Sequence, residues 1–551
     1  MSGSITLENR FGVNKMELIS LKYAIFVIVL LVLYYCFPKK YRWYVLLAGS
    51  MAYYVIICKW YVLFIIFTIC TTYGSTIWID KLLKKQNAIV KSHKEDWDRQ
   101  TRKDYKEKGR KKRVAVMLFA LLCNFGILAF LKYIPYAGEL GLLLPLGISF
   151  YTFQSMGYVM DVYREIVEPE KNFLKVALFV SFFPQIIQGP IAIYDKLAGQ
   201  LYEGHSLRLE NLQKGALLVL WGVMKKLVIA DRAVNIINFV MDKPMDFSGT
   251  YVFFAAVVYA LQLYADFSGG IDIVRGIAEM FGITMSTNFN HPYFSRSLTE
   301  YWHRWHMTLG DWCRNYIFYP LSISKRFLNF GKWLKPRFGA HISKVLPGCI
   351  ASVITFIVIG VWHGANMKYL YFGLWNGIVI MLAELFAPVS KKVAGGFFKL
   401  TGLREKGIFA TIVSVIWTFM LILVGYYFDI AANASTAFHM LFKSVTDFHI
   451  SELGINNIIL NLGACGLDEY DILLLIICTL LWFFISFVEE NKKLDMRDFI
   501  LSRKLPLRWA IIYLGIFIVI IFGYYGPGVN PADFVSVSYT HLRAHETCAD
   551  L

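Results

Sequence analysis

Three histidines, three arginines and a crowd of aromatic rings fall between His291 and Pro320, in HPYFSRSLTEYWHRWHMTLGDWCRNYIFYP. A second, shorter stretch, Gly360-Val361-Trp362-His363-Gly364, closes the apolar run Ala351–Val361. Imidazole is the side chain best suited to proton transfer near neutral pH. At the end of an apolar run, desolvation favours its neutral form, which is the form a general base needs. His363 is therefore the sharper candidate, and Gly360, Gly364 and Ala365 are expected to leave room for a reactant beside its ring.

In the longer stretch, Ser297 and Glu300 have the spacing of a capping box, so a helix is expected to begin there. Glu300, His303 and His306 then recur every third residue, which places them near one helical face. A zinc site would need a third ligand at ordinary spacing, and neither that nor HExxH is present, so no metal is expected. The plainer reading makes these histidines hydrogen-bonded interface residues. Cys313 is the nearest alternative nucleophile, and no Ser or Cys stands beside His363.

The elements that must position these groups are hydrophobic. Of 551 residues, 57% are hydrophobic and only 17% charged, with a mean hydropathy of +0.50. A soluble domain is nearer a quarter charged. Repeated apolar runs of about 20 residues match the hydrocarbon thickness of a bilayer. They lack the alternation of a barrel, so an all-α polytopic membrane protein with about 10–12 hydrophobic helices is expected. The net charge of +17 falls between the spans, where positive-inside topology accounts for it without nucleic acid. The clearest shift is 81–113, with 14 Lys and Arg and no apolar run, read as a cytoplasmic loop long enough for an exposed helix.

The polar N-terminal segment 1–19 does not resemble a signal peptide, and Tyr23–Phe37 reads as a retained first span. The nine cysteines are scattered without a CxxC pair, which indicates neither a disulfide framework nor a zinc site. Phe173–Pro184 followed by Gln185–Pro190 reads as a broken element, tolerated at membrane depth only when buried in protein or lining a cavity. Asp266–Asp272 is polar and glycine-rich in an apolar setting, and intramembrane acids usually face a cavity. Asp429–Asp471, acidic with almost no basic residues, suits the outer face.

Several of these segments together resemble the membrane-bound O-acyltransferase family, in its bacterial branch of alginate O-acetyltransferases and the related D-alanyl transferase of teichoic acid modification. The resemblance runs from about Tyr23 to Phe534. It rests on Gly147–Gln154 (GISFYTFQ), Phe182-Phe183-Pro184 with Gly189-Pro190-Ile191, and Tyr264–Gly269 (YADFSG). Asn288-Phe289-Asn290 with Pro292-Tyr293, Tyr301–Leu309 (YWHRWHMTL), Tyr316–Leu321 and Gly360–Ala365 complete it. No one of these is specific alone; their succession in this order carries the resemblance.

The resemblance implies one membrane domain over 20–534, built as helices around a central funnel or tunnel in the bacterial plasma membrane. His363 maps onto the family's catalytic histidine and His306 onto its second site residue, while nothing transfers to His303. Trp305, Trp362, Asp266 and Asn376 are expected along the substrate tunnel. The expected reaction moves an acyl group, acetyl first of all, from a cytoplasmic thioester to hydroxyls of a cell-envelope or exported polysaccharide. The donor, acetyl-CoA or an acyl-phosphopantetheine carrier, is a substrate rather than a bound cofactor. Transfer is direct or through an extracytoplasmic acyltransferase partner.

In that scheme His363 takes the hydroxyl proton, while His306 or nearby polar groups donate to the oxyanion. The rival within the family is D-alanyl transfer to teichoic acid from a carrier protein. A transporter for an envelope precursor would fit the broken polar elements, but it shows no inverted repeat and leaves the histidine pair unexplained. The tail 535–551 departs from the family pattern and reads as a cloning or sequence-assembly artefact.

Overall fold

The computed structural model describes residues 18–134, 144–401, 404, 407–454, 457 and 465–525. The tail 535–551 and almost all of segment 1–19 lie outside them. The described residues form helices and no strands. Among the described residues seven helices are long and apolar enough to cross a membrane. An eighth counts if Met367–Leu385 and Ala387–Thr401, bent by 64°, form one span, and Leu21–Cys36 and Phe173–Gln188 are shorter apolar helices. This is a multi-pass membrane protein.

The chain divides into two compact units, one of residues 1–219 and 271–286, the other of residues 220–270 and 287–551. In the first unit Ile148–Tyr163 is almost wholly buried and packs against Val62–Ser92 and Arg99–Tyr133. It starts at Gly147, where φ is 69° and a Cβ would lie 2.2 Å from the Ile186 carbonyl, so only glycine fits. The expected broken element is there: Phe173–Ser181 and Phe183–Gln188 are separate helices with Phe182 extended between them. Its polar groups are satisfied internally, Phe183 N–H by Ser50 Oγ at 3.1 Å and Gln185 Nε2 by the Pro190 carbonyl at 2.9 Å.

The basic stretch 81–113 is a loop only at 93–98. Residues 81–92 prolong one span helix and residues 99–113 begin the next. Lys and Arg are good helix formers, so once an apolar helix is nucleated nothing in this composition stops it.

In the second unit Lys325–His363 and Met367–Leu385 form an antiparallel pair joined by a three-residue turn. A Cβ on Gly360 would lie 2.3 Å from the Tyr369 carbonyl, and one on Gly373 2.3 Å from the Phe356 carbonyl. Gly360 therefore lets two backbones approach rather than making space beside His363, which corrects the expectation from sequence. The 39-residue helix is interrupted at Gly339, φ 80°, between Pro336 and Pro347.

The glycine-rich stretch 266–272 does not break its helix either, since Gly249–Met280 is continuous. A Cβ on Gly269 would lie 2.9 Å from the Gly222 carbonyl, so this glycine too serves helix contact. Beside it the chain widens into a π-helical turn, Lys225–Ala230.

Candidate active site

The helix capped by Ser297 begins as expected, with Glu300 N–H donating to Ser297 Oγ at 3.1 Å. The Glu300 carboxylate turns to the Arg296 N–H at 2.9 Å and to Arg304 at 2.7 Å. The helix then ends at Arg304, and Met307–Cys313 is a separate helix. Trp305 is extended and His306 left-handed, φ 44° and ψ 50°.

His303 and His306 are therefore not on one helical face. His303 is exposed, whereas His306 is 4% exposed. The break is held from outside the helix: Asn290 N–H donates to the Arg304 carbonyl and Met307 N–H to the Asn288 carbonyl, both at 2.9 Å. A left-handed non-glycine residue costs about 1–2 kcal/mol and persists where its surroundings fix it.

A cavity of about 60 Å³ opens within the second unit. His306 and His363 both line it, together with Trp305 and Asn376. His306 Nδ1 lies 3.2 Å from Asn288 Oδ1, and its Nε2 has no protein partner among the described residues. Burial, and next His363, hold this imidazole well below the ordinary histidine range, so it is neutral at pH 7. His363 is half-buried at the last turn of its helix, its ring 5.5 Å from Phe372 and 6.1 Å from Tyr369.

Asn376, which also lines the cavity, is held at both ends of its amide. Its Nδ2 donates to the Phe372 carbonyl at 2.9 Å, and its Oδ1 accepts from Trp302 Nε1 at 3.0 Å. Trp362 does not line the cavity; its ring lies 5.0 Å from that of His363 and 6.3 Å from that of His306.

Asp266 is also absent from the cavity wall. It is fully buried and meets Lys226 Nζ at 2.6 Å, while Asp231 meets the same ammonium at 2.9 Å. The expectation that this intramembrane acid faces the tunnel is corrected: a lysine one helix away takes its charge. Cys313 is buried and does not line the cavity. Among the described residues no group of three His, Cys, Asp or Glu side chains is placed to hold a metal.

Sequence reasoning missed part of the site. Asp429, expected on the outer face, lies on the cavity wall and accepts from the Tyr259 hydroxyl at 2.8 Å. Tyr301 and Tyr426, also on the wall, are 2.7 Å apart, and Tyr426 is 3.2 Å from Tyr293, which donates to the Ala260 carbonyl at 2.6 Å. A hydroxyl has one proton, so the order of donation runs Tyr301 to Tyr426 to Tyr293 to Ala260. The only signal in the sequence was a tyrosine or aspartate inside an apolar helix.

Residues 169–335 match the model of the membrane-bound O-acyltransferase family, a span that holds His306 but not His363. Over those residues the chain is similar to the membrane-bound O-acyltransferases. It is 30% identical over 315 residues to a probable alginate O-acetylase of Pseudomonas syringae pv. tomato, covering 56% of this chain and 54% of that protein. A peptidoglycan O-acetyltransferase of Helicobacter pylori is 30% identical over 314 residues, 50% of this chain and 56% of the relative. A teichoic acid D-alanyltransferase of Bacillus subtilis is 26% identical over 288 residues, covering 51% and 67%. The matches span just over half the length of the first two of these relatives.

Proposed function

We propose that this protein is a membrane O-acyltransferase that moves a short acyl group, acetyl first of all, from a cytoplasmic thioester to a hydroxyl of an envelope or exported polysaccharide. The observation that carries the reading is that His306 and His363, 57 positions apart in sequence, line the same cavity. The hydroxyl oxygen attacks the thioester carbonyl, His363 takes its proton, and the thiolate leaves when the tetrahedral intermediate collapses. His363 ends its helix, where the carbonyl dipoles stabilise the imidazolium by about 0.3–1 kcal/mol. Acceptance is direct or through an extracytoplasmic acyltransferase partner.

The size of the cavity supports a short acyl group. One water needs roughly 10–15 Å³ on the same measure, so about 60 Å³ suits a few heavy atoms beside the histidines. The relatives' names supply the substrate classes, alginate, peptidoglycan and teichoic acid. Asp429 supports the D-alanyl alternative, because a wall carboxylate suits an aminoacyl ammonium. Lys368, bonded to the Asp429 and Ala431 carbonyls at 2.9 and 2.7 Å, already sets a cation next to it, which favours acetyl.

The test is purified protein in proteoliposomes, given radiolabelled acetyl-CoA, acetyl-carrier and D-alanyl-carrier side by side with a polysaccharide acceptor. His363→Ala should lower transfer by about 10²–10⁴-fold. Full activity in that variant ends the assignment.

A further inference from the structure

The hydrogen bonds around Asn288 decide what His306 can do. Asn288 is 1% exposed, and its Oδ1 receives the Thr308 backbone N–H at 3.1 Å and the Thr308 hydroxyl at 2.9 Å. A backbone N–H cannot face an amide NH₂, so the orientation of this side-chain amide is fixed by the main chain. The atom presented to His306 Nδ1 at 3.2 Å is therefore an acceptor, and Nδ1 must carry the hydrogen. A neutral imidazole has one N–H. Its Nε2 is then a bare lone pair, buried, unpartnered among the described residues, on a ring that lines the cavity.

We propose that Asn288 is a positioning residue that locks His306 as the Nδ1–H tautomer, so that His306 accepts a hydrogen bond from a substrate hydroxyl beside the one that attacks, whose own proton goes to His363, and cannot donate one to the oxyanion. This rests on the acyl-transfer reading for the identity of the substrate, though not for the tautomer. It removes His306 from the oxyanion role that the sequence left open to it. It also explains the left-handed backbone at His306. Only by leaving the helix does the ring reach Asn288 while Thr308, two residues on, brings its N–H to the same oxygen.

The lock can be read without turnover. Protein labelled with [¹⁵N]histidine, compared with His306→Gln to pick out one ring among 11 histidines, should show Nδ1 protonated and Nε2 bare at pH 7.5. A protonated Nε2 overturns the proposal, whatever the transfer assays give. Asn288→Ala should mix the tautomers and lower kcat by about 10–100-fold, the range found when the outer partners of metal-bound histidines are removed, with KM for the thioester little changed.

Asn288→Asp keeps the acceptor for Thr308 and for Nδ1–H. It should recover most of the rate at pH 8, then lose it on an acid limb that sets in at higher pH than the limb His363 gives the wild type, because a carboxylate lets the His306 ring take a second proton. An acid limb in Asn288→Asp that coincides with the wild type's, or an Asn288→Ala loss confined to KM, overturns the proposal. Loss of transfer in His363→Ala with an unchanged His306 spectrum bears on the functional reading alone.

Discussion

Replacing Lys226 by Met should destabilise this protein more than any single change to the acids around it. Lys226 Nζ lies 2.6 Å from Asp266 and 2.9 Å from Asp231, and all three side chains are at most 3% exposed. At an effective dielectric constant of about 20, each attraction is worth about 6 kcal/mol before desolvation. Removing one partner of a buried pair costs a net of about 3–5 kcal/mol.

Lys226→Met removes both attractions and leaves two carboxylates without the cation they share, so its cost belongs at or above the top of that range. Asp266→Asn keeps the Lys226–Asp231 pair and an acceptor for the ammonium, and should cost about 1–3 kcal/mol. The double variant has one carboxylate fewer than Lys226→Met and should be the more stable of the two. Heating detergent-purified protein and measuring the fraction still monodisperse by size exclusion gives the midpoints, compared as rates of loss if unfolding is irreversible. The reasoning is refuted if Asp266→Asn melts as low as Lys226→Met, or if the double variant is the least stable.

Gly373→Ala would press a Cβ to 2.3 Å from the Phe356 carbonyl. It should part the two helices that carry His363 and Asn376, at about 1–3 kcal/mol, with transfer activity falling alongside the melting midpoint. Tyr426→Phe deletes the acceptor of Tyr301 at 2.7 Å and leaves a buried hydroxyl unpaired, at about 1–3 kcal/mol in the same assay. Protonation of His306 is resisted in the folded state. Its contribution to stability is thus complete above the unfolded value of about 6.5 and declines as pH falls below it, because the unfolded chain binds the extra proton. The midpoint of the wild type should therefore drop more steeply between pH 7 and 5 than that of His306→Gln, and equal slopes would contradict the burial argument.

Much of the fold was legible because the bilayer imposes a local rule. A span must be apolar over its whole length, so Ile408–Ile430 and Glu469–Lys492 stand out of the sequence within a few residues of their ends. A residue of the cavity wall was legible where it contradicts its surroundings, as His363 does at the end of an apolar run. The same contrast misled at Asp266, because an acid in an apolar helix marks either a cavity or a buried cation. Only the position of Lys226, 40 residues earlier, separates the two.

By itself, then, the sequence determined the helical membrane architecture, the capped start of the helix at Ser297, and the two imidazoles worth following. Tertiary structure alone decided that the helix breaks at His306, that Gly360 and Gly373 serve backbone contact, and that Asp429 and its tyrosines share the cavity. The reason is physical. Periodicity and capping are read from neighbours a few residues away, and no glycine or proline between Ser297 and His306 announces a stop. The break at His306 is stabilised by Asn288 and Asn290, whose hydrogen bonds reach Arg304, His306, Met307 and Thr308 from at least 14 residues upstream. No local pattern contains them.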